Sequence, residues 1–209
     1  MIFLGFFRRI PLPFCMSQNT RRPKIYMLIG LPGSGKSTWA QKKGLPILSS
    51  DAMREELSGS AHDQDTTSPQ DIFKALDARL EECLKNGQDV IYDALNTEPQ
   101  HRRPRLKHWN EVYKAEITGV LFTTPTKVAK ERNKQRDRVV PDTVIEKHER
   151  IFDANPLDTS KDWFDHVIKV DEHGNEKELY HFEREKRRVI DREEHIITRE
   201  GEMRPRIRK

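Results

Sequence analysis

Two cysteines in 209 residues, Cys15 and Cys83, are too few for a disulfide framework or a four-cysteine zinc site. They fit ordinary thiols in a reducing compartment. No apolar run approaches the roughly 20 residues that a membrane helix needs. The first nine residues are apolar and then basic, ending Arg8-Arg9, whereas a secretory signal places its charge first. A large excess of one charge sign is also lacking: 38 Lys and Arg stand against 34 Asp and Glu, a net +4 with a pI near 9.0. That balance suits a polyanionic partner but is not by itself evidence for nucleic acid. No internal repeat is visible, and nothing in the sequence fixes an oligomeric state. The expectation is a cytoplasmic protein with no membrane partner.

What is present is 34% hydrophobic and 34% charged residues. About half of the chain reads as core-forming, leaving charged helix faces or tails for the rest. Residues 1–23 read as a poorly ordered extension, with Met16 as an alternative start. Lys24–Ile29 is a short apolar run, the shape of a buried parallel strand, followed by a glycine-rich loop and a helix from about Ser37 to Lys43. Further strands are expected at Pro46–Ser49, Asp89–Ala94, Ala115–Phe122 and, last, Phe164–Val170. Helices are expected after Ser68-Pro69, over Arg102–Lys114, after Thr124-Pro125 through Arg138, and from Pro141 to about Phe152. Ser58–Ser68 reads as a mobile loop. Alternating strands and helices predict an α/β fold with a parallel sheet flanked by helices; the loop Gly30–Ser37 and the basic run Lys130–Arg138 extend the expectation to a P-loop NTPase fold with a helical lid. The domain spans 24–170, and 171–209 is a charged C-terminal extension. Within it Val189-Ile190 and Ile196-Ile197 look structured, Glu200-Gly201 could turn a hairpin, and the end is basic. That end reads equally as a solvated tail or a nucleic-acid contact.

Gly30-Leu31-Pro32-Gly33-Ser34-Gly35-Lys36-Ser37, continued by Thr38, fits the phosphate-binding pattern of Gly, any four, Gly-Lys-Ser/Thr. The glycines let the backbone curl so that N–H groups face phosphate oxygens. Lys36 reaches the β- and γ-phosphates, Ser37 ligates magnesium, and the helix that follows offers its positive end. ATP and Mg2+ are the cofactors this implies.

Asp51 sits just past the second strand, with Arg54 about one helical turn further on. The carboxyl edge of such a sheet lines the ligand crevice. A carboxylate there can take a proton from an attacking hydroxyl, and an arginine can hold a substrate phosphate. Asp51 could also be a helix N-cap, or serve in both roles. Asp93 ends the third strand, where a magnesium-water carboxylate is found in P-loop proteins, or it caps the turn before Asn96-Thr97. The basic run from Lys130 to Arg138 is either a solvated helix face or an arginine-bearing lid, with Arg132 and Arg136 its candidates.

Taken in order, the P-loop through Trp39-Ala40, Asp51-x-x-Arg54, Asp93 with Asn96, Arg132-Asn133-x-x-Arg136 and Val140-Pro141 resemble the kinase domain of the T-even phage polynucleotide kinase family. Zeta-toxin-like and related small P-loop kinases are its neighbours. The resemblance runs from about Lys24 to Val170. It implies Asp51 as general base, Arg54 gripping the acceptor-side phosphate, Lys36 and Ser37 on the ATP phosphates and magnesium, Arg136 as lid arginine, and Asp93 supporting the site. Two departures stand out. The Asp-x-Asp-Gly-Thr motif of the family's phosphatase domain does not occur in these residues, so any end-healing role would lack that half, and one extra residue lies between Arg136 and Pro141.

The leading expectation is an ATP-dependent kinase acting on a hydroxyl of DNA or RNA, most simply a 5′-hydroxyl end. One alternative moves the hydroxyl to a hydroxymethylated base of phage DNA, such as 5-hydroxymethyluracil, which requires base extrusion. Another is a small-molecule kinase for a nucleoside, sugar or nucleotide sugar. An NTP-switched binding module ranks last, because no guanine-specificity Asn/Thr-Lys-x-Asp motif occurs and the Asp51/Arg54 pair has no place in it.

Overall fold

The computed structural model describes residues 21–58, 68–181 and 195–206. The N-terminal extension up to residue 20, most of the expected loop at 58–68, Val189-Ile190 and the last three residues, 207–209, of the basic end lie outside them.

Five strands run parallel through the centre. They are β1 (Lys24–Ile29), β2 (Ile47–Ser49), β3 (Val90–Asp93), β4 (Glu116–Phe122) and β6 (His166–Val170). A sixth, β7 (Glu176–His181), closes the edge antiparallel to β6, giving the order β2-β3-β1-β4-β6-β7. The helices are α1 (Lys36–Lys43), α2 (Ser50–Ser58), α3 (Pro69–Lys85), α4 (Pro99–Tyr113), α5 (Thr126–Asn133) and α6 (Asp142–Ala154). A short β5 (Leu157–Asp158) pairs with β8 (His195–Ile197), which pairs with β9 (Met203–Pro205), forming a small antiparallel sheet.

This is the mixed α/β fold with a mainly parallel sheet that the strand–helix alternation predicts. Because successive side chains of a strand point to opposite faces, β1 divides the core. Ile25, Met27 and Ile29 pack with Ile72, Leu76 and Leu80 of α3 and Leu106 and Trp109 of α4. Leu28 turns the other way, onto Trp39 and Ala40 of α1 and Phe122. Ser68 caps α3 as its sequence implies, its hydroxyl accepting from Asp71 N at 3.2 Å, with Pro69 in the first turn.

Three differences from the sequence reading have local causes. Helix α4 starts at Pro99, earlier than the expected Arg102, because proline fits the first turn of a helix. Helix α5 ends at Asn133, so Arg136 and Arg138 lie on the turn beyond it and not on a continuing helix. Strand β6 is not the last strand. The chain returns as β7 and then as the β8–β9 hairpin, turned where Glu200-Gly201 suggested. Gly201 has φ +76°, and a Cβ there would stand 2.8 Å from Lys169 Cδ, so the turn presses glycine against β6. Ile197 is fully buried in the main core. Among the described residues no helix is long and apolar enough to cross a membrane.

One buried ion pair ties this C-terminal sheet to the centre. Arg102 on α4 donates to both carboxylate oxygens of Asp162 at 3.0 Å, and both side chains are fully buried. Its remaining nitrogen donates to the carbonyls of Asn96 and Thr97, and Asp162 also accepts from Arg103 and from Asp158 N. Asp162→Ala leaves the Arg102 guanidinium enclosed without its partner. Urea unfolding should show a loss of about 3–5 kcal/mol; a loss below about 1 kcal/mol would contradict the pairing.

Candidate active site

The loop between β1 and α1 is shaped by its neighbours. A Cβ on Gly30 would stand 2.9 Å from Phe122 Cβ. Gly33, at φ +78°, leaves so little room that a Cβ would come within 2.2 Å of the Ala129 carbonyl oxygen on α5. Thr124 Oγ1 donates to Ser34 O at 2.9 Å. Strand β4 and helix α5 therefore mould the loop as its own glycines do, and Gly35, at φ +100°, turns it into α1.

Lys36 begins α1 and folds back over the loop, its Nζ donating to Gly30 O at 2.9 Å and Leu31 O at 2.7 Å. Burial lowers its pKa to about 8, opposed by the Asp93 carboxylate and reinforced by Arg136. The next residue, Ser37, donates to Asp93 Oδ2 at 3.2 Å. Burial pushes the Asp93 carboxyl above its ordinary range, while Lys36 and the Ser37 hydroxyl pull it back. Ser34 Oγ is buried and has no hydrogen-bond partner among the described residues. Left-handed glycines, an enclosed ammonium, an orphaned hydroxyl and a paired serine and aspartate are a donor set that fits a polyphosphate with a divalent cation.

Across the sheet edge, Ser49 Oγ accepts from the N–H groups of Asp51 and Ala52, at 3.3 and 3.4 Å. Ser49 thus fills the capping role that the sequence left open for Asp51, whose carboxylate is turned to other partners. Asp51 Oδ1 accepts from Arg54 at 2.6 Å and from Arg138 at 2.8 Å. It remains half-exposed, and its charge acts on both Lys36 and Asp93.

The basic segment divides its work. Arg132 bridges to the turn after β6, donating to Glu172 O at 2.7 Å, and its Nη1 lies 3.9 Å from where a Cβ on Gly35 would be. Asn133 is buried and grips Val140 from both sides, Nδ2 to Val140 O and Val140 N to Oδ1. That clamp closes the intervening turn, which presents Arg136 exposed and extends Arg138 to Asp51. These groups line one open cleft of about 1750 Å³, shared by the phosphate loop, Asp51, Arg54 and the three arginines. Of the residues singled out from the sequence, Pro32 to Thr38, Asp51, Arg54, Asp93, Arg132 and Arg136 line it, and Gly30 and Leu31 do not.

Arg138, not singled out from the charge run, is the arginine of that run in contact with Asp51. His148 on α6 was also missed. It faces Thr97 Oγ1 at 3.4 Å, and burial lowers its pKa. Asn96, at φ +51°, is fixed by a bond to Leu28 O at 2.8 Å. No local pattern marks His148, since only the tertiary packing of α6 carries it to the cleft.

A family model described as an AAA domain matches residues 25–154, more than half of the chain, and the chain belongs to that family. No curated protein sequence matches it closely enough to count as a relative. Among solved structures, it is similar to a chain of the Pnkp1/Rnl/Hen1 RNA repair complex, at 28% identity and TM-score 0.52 over 65% of this chain. It spans 46% of that longer chain. It shares its fold with a chain of the PezAT toxin–antitoxin system of Streptococcus pneumoniae, at 13% identity and TM-score 0.54, over 77% of this chain and 71% of that one. A gluconokinase of Sinorhizobium meliloti aligns at 18% identity and TM-score 0.44, over 72% of this chain and 84% of that one.

The half-buried Lys36 ammonium has a consequence for stability. Lys36 titrates near 8 when folded and near 10.5 when free, so between these values the unfolded chain binds more protons. Stability should then rise with pH across that window and be lost as pH falls through about 8. Lys36→Met should flatten the rise by about 1 kcal/mol per pH unit, measured by denaturant unfolding between pH 8 and 10. Equal slopes in both proteins would contradict the shift.

Proposed function

We propose that this AAA domain family member is an ATP-dependent phosphotransferase whose acceptor is a hydroxyl of a nucleic acid, most simply a 5′-hydroxyl end. The observation that carries the reading is the Asp51 carboxylate, bracketed by Arg54 and Arg138, across one cleft from the Lys36 ammonium.

Lys36 exchanges its two carbonyl partners for β- and γ-phosphate oxygens, and the loop N–H groups hold the rest of the polyphosphate. Ser37 and Asp93 would hold a magnesium ion, which would neutralise phosphate charge. Asp51 takes the proton of the acceptor hydroxyl as its oxygen forms a bond to the γ-phosphorus. The bond to the β,γ-bridging oxygen breaks in line, and ADP leaves. Arg136 faces the charge that spreads over the transferring group. Arg54 and Arg138 hold Asp51 in place and offer their remaining donors to a phosphate of the acceptor.

Two observations favour a polymeric acceptor. The cleft exceeds the roughly 300–1,000 Å³ of small-molecule sites and is open. Its lining also carries Arg54, Arg138 and Lys147, cations suited to a phosphate backbone. The likeness to a chain of an RNA repair complex supports the same reading.

The test is transfer of labelled γ-phosphate to 5′-hydroxyl DNA and RNA oligonucleotides, DNA with 5-hydroxymethyluracil, nucleosides, gluconate and nucleotide sugars. Label should appear on oligonucleotide 5′ ends, with acceptor affinity falling as salt rises. Asp51→Asn should lower kcat by about 10²-fold or more. Arg138→Ala should raise the acceptor KM more than it lowers kcat. Label on small molecules alone, or hydrolysis without transfer, would overturn the nucleic-acid acceptor.

A further inference from the structure

At the opposite end of β6 from the cleft, three side chains converge on one point. His166 opens β6 and is paired across the edge with His181, the last residue of β7. Their Nδ1 atoms stand 3.1 Å apart, with the rings steeply tilted. Glu178 Oε1 lies 3.3 Å from His166 Nδ1 and 3.7 Å from His181 Nδ1.

The convergence depends on a backbone irregularity. Residues 178 and 181 are separated by an odd interval, so in a regular strand they would face opposite sides. Here the register slips between Val167 and Ile168: Tyr180 pairs with Val167, but Glu178 pairs with Ile168. Leu179 is the extra residue of a β-bulge. The bulge turns Glu178 to the face that carries both histidines, the kind of re-aiming for which bulges are used.

We propose that His166, Glu178 and His181 form a binding site for a divalent transition metal of the zinc class. Ligand atoms about 2.0–2.1 Å from such an ion, at tetrahedral angles, stand about 3.3–3.4 Å from one another. The three observed separations, 3.1, 3.3 and 3.7 Å, bracket that value. Two imidazole Nδ1 atoms this close can share one proton between them, and the carboxylate competes for it; a cation takes a lone pair from all three at once. The surroundings match as well. His166 would bind through Nδ1, and Glu116 Oε1 stands 3.6 Å from its Nε2, the carboxylate-behind-histidine arrangement that orients metal ligands. Glu116 is held in turn by Lys24 at 2.9 Å.

Three protein ligands leave a fourth position for water. The site is one strand length, about 13 Å, from the β6 end that borders the cleft. Its role is to pin the antiparallel edge strand to the parallel sheet, and it does not depend on the identity of the phosphate acceptor.

The test uses the full chain, freed of metal with a chelator and titrated with Co2+ and then Zn2+ in excess Mg2+. One equivalent of Co2+ should bind with the strong visible absorption of four-coordinate cobalt, Zn2+ should displace it, and the thermal midpoint should rise. His166→Ala should abolish binding, and the isosteric Glu178→Gln should weaken it about tenfold or more. Ser37→Ala, in the phosphate loop, should leave it unchanged. Absent saturable binding, or binding that survives His166→Ala or Glu178→Gln, would overturn the site.

Discussion

An ammonium group withdrawn from water requires compensation, and most of the cleft can be understood as supplying it to Lys36. The Gly30 and Leu31 carbonyls accept its protons, Asp93 opposes its charge, and burial still brings its pKa down to about 8. The loop can curl tightly enough to offer those carbonyls because Gly33 fits under the Ala129 carbonyl and Gly30 beside Phe122. Strand β4 and helix α5 are thus part of the phosphate site although none of their residues belongs to the motif.

A similar compensation surrounds Asp51 across the cleft. Asp51 is held at the cleft edge by two arginines, Arg54 on its own helix and Arg138 on a turn closed by Asn133 and Val140. That turn follows directly on α5, whose Ala129 carbonyl rests on Gly33, so the arginine-bearing turn and the phosphate loop share one packing contact. The buried Arg102–Asp162 pair extends the linkage. It holds the Asn96 and Thr97 carbonyls at the cleft floor and anchors the segment on which the small C-terminal sheet is built.

Much of this was legible in the sequence, for identifiable reasons. Buried parallel strands are short apolar runs, so β1, β3 and β4 could be marked out nearly to their ends, and Ser68-Pro69 announced α3 by capping chemistry. The phosphate loop is local, so its spacing alone carried it. Strand β7, Glu-Lys-Glu-Leu-Tyr-His, was not legible: it is an exposed edge strand with a bulge, so it shows neither alternation nor an apolar run. Arg138 looked like one charge among many, because its partner lies 87 residues away. The Asp51 capping alternative could not be settled without seeing that Ser49 takes the two N–H groups. The His166–Glu178–His181 cluster is invisible for the same reason as β7, since a register shift creates it.

The exchange of Lys36 between backbone carbonyls and phosphate oxygens is the claim on which the proposed chemistry rests, and proton linkage measures it directly. Calorimetric binding of a magnesium-bound, non-hydrolysable ATP analogue just above pH 8, in buffers of different ionisation enthalpy, counts the protons taken up. Phosphate contact should restore the charge of a lysine that is partly neutral at that pH, giving a fractional proton uptake that disappears in Lys36→Met. Binding with no uptake, or with the same uptake in Lys36→Met, would contradict it.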